Sequence, residues 1–403
     1  MSQPAYLHHT RPHHAWTAPL RFITSTALFD GHDAAINVIR RLLLEQGAEV
    51  IHLGHNRSVR DIVTAAIQED ADAIAVSSYQ GGHMEFFHYM LDELQRQGAE
   101  TIRLFVGGGG TITNQEAREL EAAGVSRVYT SEDGLSLGLD GMVRDLIEGT
   151  EEQAEYREIT THPGMDDQRA MARSLSAIEQ QQAAGNMAPQ STDPEACPVV
   201  GITGTGGAGK SSLLDELLGL MFKHFPGIHI ACLTVDPTRH STGGAMLGDR
   251  IRINNTSNPN LFLHSMATRR RHLATSAHLA RCIAYLRPLG FDLLLVETAG
   301  TGQSDSEISE LVDIPLYVMT SDFGAPSQLE KIEMLAYAEL VALNKADRQG
   351  TLDALAQVRR QWRIEQGAEP RADSENQVEA ICWCRSPSSR CNWSMNSCKP
   401  STC

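Results

Sequence analysis

Two doubly wound α/β folds in tandem, each on a parallel sheet, are predicted by three features of this chain. Apolar β-like runs alternate with segments of helical period from residue 20 to 149, and again from 196 to 365. Glycine is frequent, at 33 residues, and aromatic residues make up only 5%. That balance suits tight strand-to-helix turns better than β-sandwiches. A polar stretch at 150–195, rich in Glu, Gln and Ala and carrying Pro163, Pro189 and Pro194, separates the two rhythms.

In the first rhythm, strands are predicted at Leu20–Leu28, Glu49–Leu53, Ala73–Ser77, Ile102–Val106 and Arg127–Tyr129. Helical period fills the gaps at Ala34–Gln46, Val59–Glu69, Met84–Gln97, Asn114–Ala123 and Leu135–Ile147. Five strands is the flavodoxin-like count. The stretch between the rhythms reads as a linker with one helix, Asp166–Ala184, ending near Gly185. The polar, His-rich residues 1–19 read as a flexible arm, and 366–403 as a disordered or aberrant tail.

Cysteine placement supports that view of the tail. Cys197, Cys232 and Cys282 lie in the body, while Cys382, Cys384, Cys391, Cys398 and Cys403 crowd the end. A disulfide framework for the body is not expected. A zinc site in the tail is the functional alternative, but its cysteines lack paired ligand spacing. A net charge of −16 argues against a nucleic-acid surface. No apolar run is long enough to span a bilayer, and the N-terminus lacks the apolar core of a secretory signal. A cytoplasmic location without membrane contact is the expectation.

The second rhythm opens on a nucleotide motif. The apolar run Val199–Ile202 leads into Gly204-Thr-Gly-Gly-Ala-Gly209-Lys210-Ser211, which fits the P-loop pattern, and an apolar-periodic helix follows. Glycines there let backbone N–H groups turn inward onto phosphate oxygens. Gly204, Gly207, Ala208, Gly209, Lys210, Ser211 and Ser212 are therefore the phosphate-binding candidates. Lys210 supplies charge to the β- and γ-phosphates, and the Ser211 hydroxyl is a Mg²⁺ ligand.

Further polar residues end apolar strands. Ile228–Val235 ends in Asp236, Phe291–Val296 in Glu297 and Thr298, and Leu340–Leu343 in Asn344-Lys345-Ala346-Asp347. Open parallel sheets bind ligands beyond the carboxyl ends of their strands. Asp236 or Glu297 would thus hold or orient Mg²⁺. The last segment matches N-K-x-D: Asp347 can accept two hydrogen bonds from guanine that adenine cannot offer, beside Asn344 and Lys345. GTP is the expected nucleotide, with ATP the alternative.

The first rhythm carries its own motif. Asp30-Gly31-His32-Asp33-Ala34-Ala35 follows the first strand and resembles D-x-H-x-x-G, which presents a histidine to cobalt, with Ala35 in place of the last glycine. Asp30 could hydrogen-bond the second ring nitrogen of His32. Ser77-Ser78-Tyr79-Gln80-Gly81-Gly82 follows the third strand, and Gly107, Gly108 and Gly109 follow the fourth. In cobalamin domains such positions take the displaced nucleotide tail, which makes Ser77, Gly82 and the three glycines candidates here.

Together with Asp236-Pro-Thr-Arg-His-Ser-Thr-Gly-Gly-Ala-Met-Leu-Gly-Asp249, Met266-Ala-Thr-Arg and Glu297-Thr-Ala-Gly-Thr-Gly-Gln303, these motifs resemble the metallochaperone GTPases of cobalamin-dependent mutases. Motif order and the Ala-containing first motif resemble the fused isobutyryl-CoA mutases over residues 20 to 365. The resemblance implies adenosylcobalamin, GTP/GDP and Mg²⁺ as ligands. It makes His32 the lower cobalt ligand and adds Val235, Asp249 and Thr298 to the Mg²⁺ region. Gln303 becomes the candidate to position water. It also implies a homo-oligomer and an acyl-CoA mutase barrel domain as partner, which these residues do not supply. Cofactor gating by the GTPase, with isomerisation only in the complete enzyme, is the expected activity. A cobalamin/GTP switch without turnover, a mutase small subunit, and a flavodoxin-like regulator are the alternatives.

Overall fold

The computed structural model describes residues 19–152, 157–180, 197–238, 242–248, 250–268, 272–298, 300, 307–323, 329, 332, 334–365 and 381–383. Their contacts fall into two compact units. The first holds the described residues within Met1–Gly201, Ser211–Ala299 and Glu310–Asp313, and the second those within Ile202–Lys210, Gly300–Ser309 and Ile314–Cys403.

Unit one begins with the expected strand–helix alternation. It runs β1 (Arg21–Thr26), α1 (Ala34–Glu45), β2 (Glu49–Gly54), α2 (Val59–Gln68), β3 (Ala73–Ser77), α3 (His83–Arg96), β4 (Arg103–Gly109), α4 (Asn114–Ala123), β5 (Arg127–Thr130) and α5 (Ser131–Glu151). Continuous apolar strands bury both faces. Ile23, Ile51, Ile74 and Leu104 enter one core, while their neighbours Phe22, Val50, Ala73 and Phe105 enter the other. Capping boxes start three helices, pairing Ser58 with Asp61, Thr113 with Glu116 and Thr130 with Asp133.

Several boundaries differ from the sequence reading. The first strand stops at Thr26 instead of Leu28, because a turn closes from Asp30 N–H to Ala27 O at 3.1 Å. The fourth strand runs on through Gly109, so Gly107 and Gly109 pair in the sheet, with Gly108 at a register shift between them. The fifth helix starts at Ser131 and is broken by Gly138 at φ 63°, ψ 175°. The linker helix, α6, spans Gln168–Gln180, and the residues expected to extend it to Ala184 lie outside the described set.

The largest departure is a sixth strand. After β6 (Val199–Gly204) and α7 (Lys210–His224) come β7 (Ile230–Pro237), β8 (Ala245–Leu247), β9 (Leu261–Thr268), α8 (His272–Leu286) and β10 (Leu293–Glu297). Strand β8 does not join its chain neighbours β7 and β9. It adds to the first sheet, whose order is β5-β4-β3-β1-β2-β8. Ala245, Met246 and Leu247 pair in parallel with Glu49, Val50 and Ile51. Ala245 and Leu247 are fully buried in the core beside α2. Gly244 is needed just before them, since a Cβ there would lie 2.5 Å from Leu44 O.

Buried charge fastens the same junction. Arg250 donates to Glu69 Oε1 at 3.0 Å and Gln68 Oε1 at 2.6 Å, and the Glu69 carboxylate also accepts from Ser265. Arg21 donates to Glu49 and reaches Glu179 of α6 at 3.5 Å. Each of these charges is at most 4% exposed, so each depends on its partners. Elsewhere in unit one β7 pairs in parallel with β9 and β10. Cys197, Cys232 and Cys282 are buried and form no disulfide.

In unit two, β11 (Ile314–Thr320), β12 (Leu340–Asn344) and β13 (Ile381–Trp383) pair in parallel. Their core is packed by Tyr317, Met319, Leu335, Leu343 and Val358. The strand at Ile381–Trp383 falls in a region read as tail, where no structure was expected. Among the described residues no helix is long and apolar enough to cross a membrane.

Candidate functional site

The loop after β1 is built around one buried carboxylate. Asp30 is 1% exposed. Its Oδ1 accepts from the His32 backbone N–H at 2.8 Å and lies 2.9 Å from His32 Nδ1. Its Oδ2 accepts from the Tyr79 N–H at 2.6 Å. Burial pushes the Asp30 carboxyl up, but these hydrogen bonds outweigh it and hold it below the usual carboxylate range. An ionised Asp30 favours the Nδ1–H tautomer, which leaves Nε2 as a lone-pair donor. The His32 side chain is 77% exposed, with its ring 5.8 Å from that of Tyr79. One carboxylate therefore fixes the β1 loop, the histidine and the β3 loop together.

Next to this loop is a cavity of about 200 Å³, lined by Ala35, Ser77, Tyr79, Gly107–Gly109, Tyr129 and Thr130. Its walls are mostly apolar. Two buried hydroxyls, Ser77 Oγ and Ser78 Oγ, find no hydrogen-bond partner among the described residues. Orphaned buried hydroxyls are costly and point to a missing partner. Gly107 leaves space, since a Cβ there meets nothing within 4 Å, whereas Gly108 and Gly109 are glycines because the chain packs closely: a Cβ would come 2.6 Å from Ser78 O at the first and 2.9 Å from the Tyr79 ring at the second. A flat heterocyclic tail with a hydrogen-bond acceptor fits this slot, so the residues suit cobalamin. Gly82 is not among the lining residues; at φ 85° it caps α3.

The phosphate loop lies in unit two. Gly204 is obligatory, since a Cβ there would lie 1.9 Å from Val318 O. Lys210 Nζ donates to Gly204 O at 3.0 Å and Thr205 O at 3.4 Å. Asn344 Nδ2 donates to Ala208 O at 2.8 Å, and Lys345 Nζ to Gly207 O at 2.8 Å. The N-K-x-D segment is thus brought onto the P-loop, with Asp347 exposed beside it.

The residues read as the metal side lie in unit one. The Ser211 hydroxyl donates to Glu297 Oε1 at 2.8 Å. Asp236 is 8% exposed and its Oδ2 accepts from the Gly248 N–H at 3.0 Å. Val235 and Thr298 are buried on the same strand ends, and Ser212 is half-buried on α7. A hydroxyl and two carboxylates are hard oxygen donors of the kind Mg²⁺ takes. Asp249 and Gln303 lie outside the described residues.

Sequence reasoning missed the residues that brace the histidine loop. Thr26 Oγ1 donates to Asp30 O at 2.8 Å and accepts from the Asn56 N–H at 3.1 Å. Asn56 Oδ1 accepts from the Phe29 N–H at 2.7 Å, and the Gln80 amide donates to Leu28 O. The available signal was Gly54 with Asn56 just past β2, both residue types that tolerate positive φ.

A flavodoxin-like unit with a strand-end histidine, continuing into a P-loop fold with an N-K-x-D segment, defines a class: nucleotide-binding α/β proteins with a cobalamin-type unit. Comparison with known families narrows it. The chain belongs to the family described as methylmalonyl-CoA mutase-associated GTPase MeaB, which matches residues 154–384, and a B12 binding domain matches residues 20–134. It is similar to a fused isobutyryl-CoA mutase of Geobacillus kaustophilus, 48% identical over 88% of this chain and 33% of that protein. It is also similar to a fused isobutyryl-CoA mutase of Cupriavidus metallidurans, 49% identical over 85% of this chain and 32% of that protein. GTPase ArgK of Escherichia coli is 33% identical over 37% of this chain and 44% of that protein. The chain spans about a third of the length of the fused mutases it matches.

Proposed function

We propose that this chain binds cobalamin through His32 and binds and hydrolyses GTP through its P-loop. Within a longer acyl-CoA mutase, its nucleotide state would gate loading of the cofactor. The observation that carries the cobalamin half is the pairing of an exposed, Asp30-held His32 with an adjacent glycine-walled cavity containing orphaned Ser77. When bound, adenosylcobalamin supplies a cobalt–carbon bond whose homolysis starts carbon-skeleton rearrangements. This chain's own part is to offer the outer imidazole nitrogen of His32, hold the other nitrogen on Asp30, and shelter the nucleotide tail beside Ser77.

For GTP, Lys210 and the P-loop N–H groups stabilise the charge that builds on the phosphates during transfer to water. Asp347 selects guanine. Ser211, Asp236 and Glu297, with Val235, Asp249 and Thr298 nearby in sequence, are the residues that would hold Mg²⁺, which neutralises phosphate charge. Gln303 is the candidate to position water.

Gating has a physical carrier. Asp236 bonds to Gly248, and the residues just before Gly248 form the strand added to the cobalamin-type sheet. A nucleotide-dependent shift at Asp236 would therefore pull on β2, whose far end leads to Asn56 and the bracing of the histidine loop. The isobutyryl-CoA reaction, the mutase barrel, a homo-oligomeric state and a cytoplasmic location complete the proposal.

Two measurements on the full chain test it. Adenosylcobalamin mixed with the protein should show the absorption change of a displaced lower base, and His32→Ala should abolish that change. Phosphate release from GTP, compared with ATP, reads the second half. A folded chain that leaves the cobalamin spectrum untouched sinks the first half and leaves the GTPase standing.

A further inference from the structure

Phe29 is an unfavourable residue for the place it occupies. It is the third residue of the turn closed by Asp30 N–H and Ala27 O, and its φ is 63°. Turns with positive φ at that position favour glycine, and a bulky residue there is a genuine outlier. Its side chain is also 80% exposed, so it gains almost nothing from burial in the ligand-free fold. Strain and exposure both disfavour Phe29, yet the surrounding loop enforces its conformation. Its N–H is fixed by Asn56 Oδ1 at 2.7 Å, Asn56 by Thr26 at 3.1 Å, and Thr26 by Asp30 O at 2.8 Å.

The position explains the cost. Phe29 directly precedes Asp30, the carboxylate that orients His32. The exposed His32 ring stands beside Tyr79, itself 37% exposed, so aromatic surface is gathered around the histidine. Backbone strain held by an over-determined loop is a mark of binding sites. A large, flat, mainly apolar macrocycle held at His32 would extend past the three positions that separate His32 from Phe29 and could cover an exposed ring on the same loop.

We infer that Phe29 is a binding residue for the corrin macrocycle, packing under the ring that His32 ligates. The inference rests on the cobalamin reading above. Burying about half of an aromatic side chain corresponds to roughly a tenfold gain in affinity.

The test uses Phe29→Gly and Phe29→Leu in the full chain, with adenosylcobalamin titrated by absorbance and thermal unfolding measured without ligand. Phe29→Gly should raise the unfolding temperature, because glycine relieves the strained φ. It should also weaken cobalamin binding about tenfold, while the spectrum at saturation still shows the displaced base. Phe29→Leu keeps the strain and some apolar contact, so its affinity should fall between the two. An affinity for Phe29→Gly within twofold of the parent overturns the inference, as does a lowered unfolding temperature, which would make the side chain structural. If the unsubstituted chain itself gives no cobalamin spectrum, the parent reading has failed instead, and the two failures are told apart by that control.

Discussion

The two candidate strand-end sites differ in how far the protein satisfies its own polar groups. Around His32 the protein leaves groups unfulfilled: an exposed imidazole, the orphaned Ser77 hydroxyl and the open face of Gly107. Around the P-loop the long side chains bond within the protein, although the buried Thr205 hydroxyl finds no partner among the described residues. Lys210 bonds Gly204 O and Thr205 O, Lys345 bonds Gly207 O, and Asn344 bonds Ala208 O. On the function proposed above, a nucleotide would replace those internal hydrogen bonds, whereas cobalamin would meet groups that find no partner among the described residues. The first site bears its cost in the ligand-free fold; the second bears it on binding. Substitutions at the first should therefore trade stability against affinity, and substitutions at the second should lose both.

The strongest way to break this contrast is Lys210→Ala. Removing a positioned charge from phosphoryl transfer should slow GTP hydrolysis by about 10²–10³-fold. Phosphate release reads the effect, and the unfolding temperature should fall because two loop carbonyls lose their donor. A variant that hydrolyses GTP at the parent rate would remove the P-loop lysine from the mechanism. Ser77→Ala should do the reverse at the other site. Deleting a buried hydroxyl without a partner should stabilise the ligand-free chain by about 1 kcal/mol while weakening cobalamin binding about tenfold. Denaturant unfolding and an absorbance titration on the same sample measure both signs.

The smallest effect concerns His52, buried on β2 with Nδ1 2.9 Å from the Thr24 hydroxyl. Burial, with Arg40 nearby, pushes its imidazole down to about 4, from an unfolded value near 6.5. Between those values the unfolded chain binds the extra proton, so stability rises with pH through the window and is lost on acidification. His52→Asn should flatten the pH dependence of the unfolding temperature between pH 4 and 6.5 by a few degrees. Equal slopes for the two proteins would show that His52 is not held neutral.

Local signals in the chain were readable because each lies within a few residues. The strand–helix alternation, the P-loop before an apolar helix, and Asp30 two residues from His32 all declare themselves in short windows. What escaped was long-range or too short to have a period. Ala245–Leu247 has three residues and cannot show alternation, so the count of five strands in the first sheet fell one short. Phe29 and Asn56 are joined across 27 residues by a single backbone-to-amide bond. The pairing of Arg250 with Glu69 spans 181 residues, and no local pattern marks either as a partner. Gly82, named from its motif, takes a left-handed φ at the start of a helix, a conformation no local pattern announces.

Strand β8 has a consequence for how the chain comes into being. A ribosome delivers residues 21–130 first, and they can form five strands, but the edge of β2 stays open. Its partner is not synthesised until Ala245 pairs with Glu49, nearly two hundred residues later. Through that interval an apolar parallel edge is exposed in the nascent protein, a template for association with other chains. Arg250 then arrives just behind β8 to neutralise Glu69. The first fold therefore matures only after the P-loop and the strand that follows it have emerged. Gene fragments cut between them should yield an aggregation-prone product, however clean the boundary looks in the sequence.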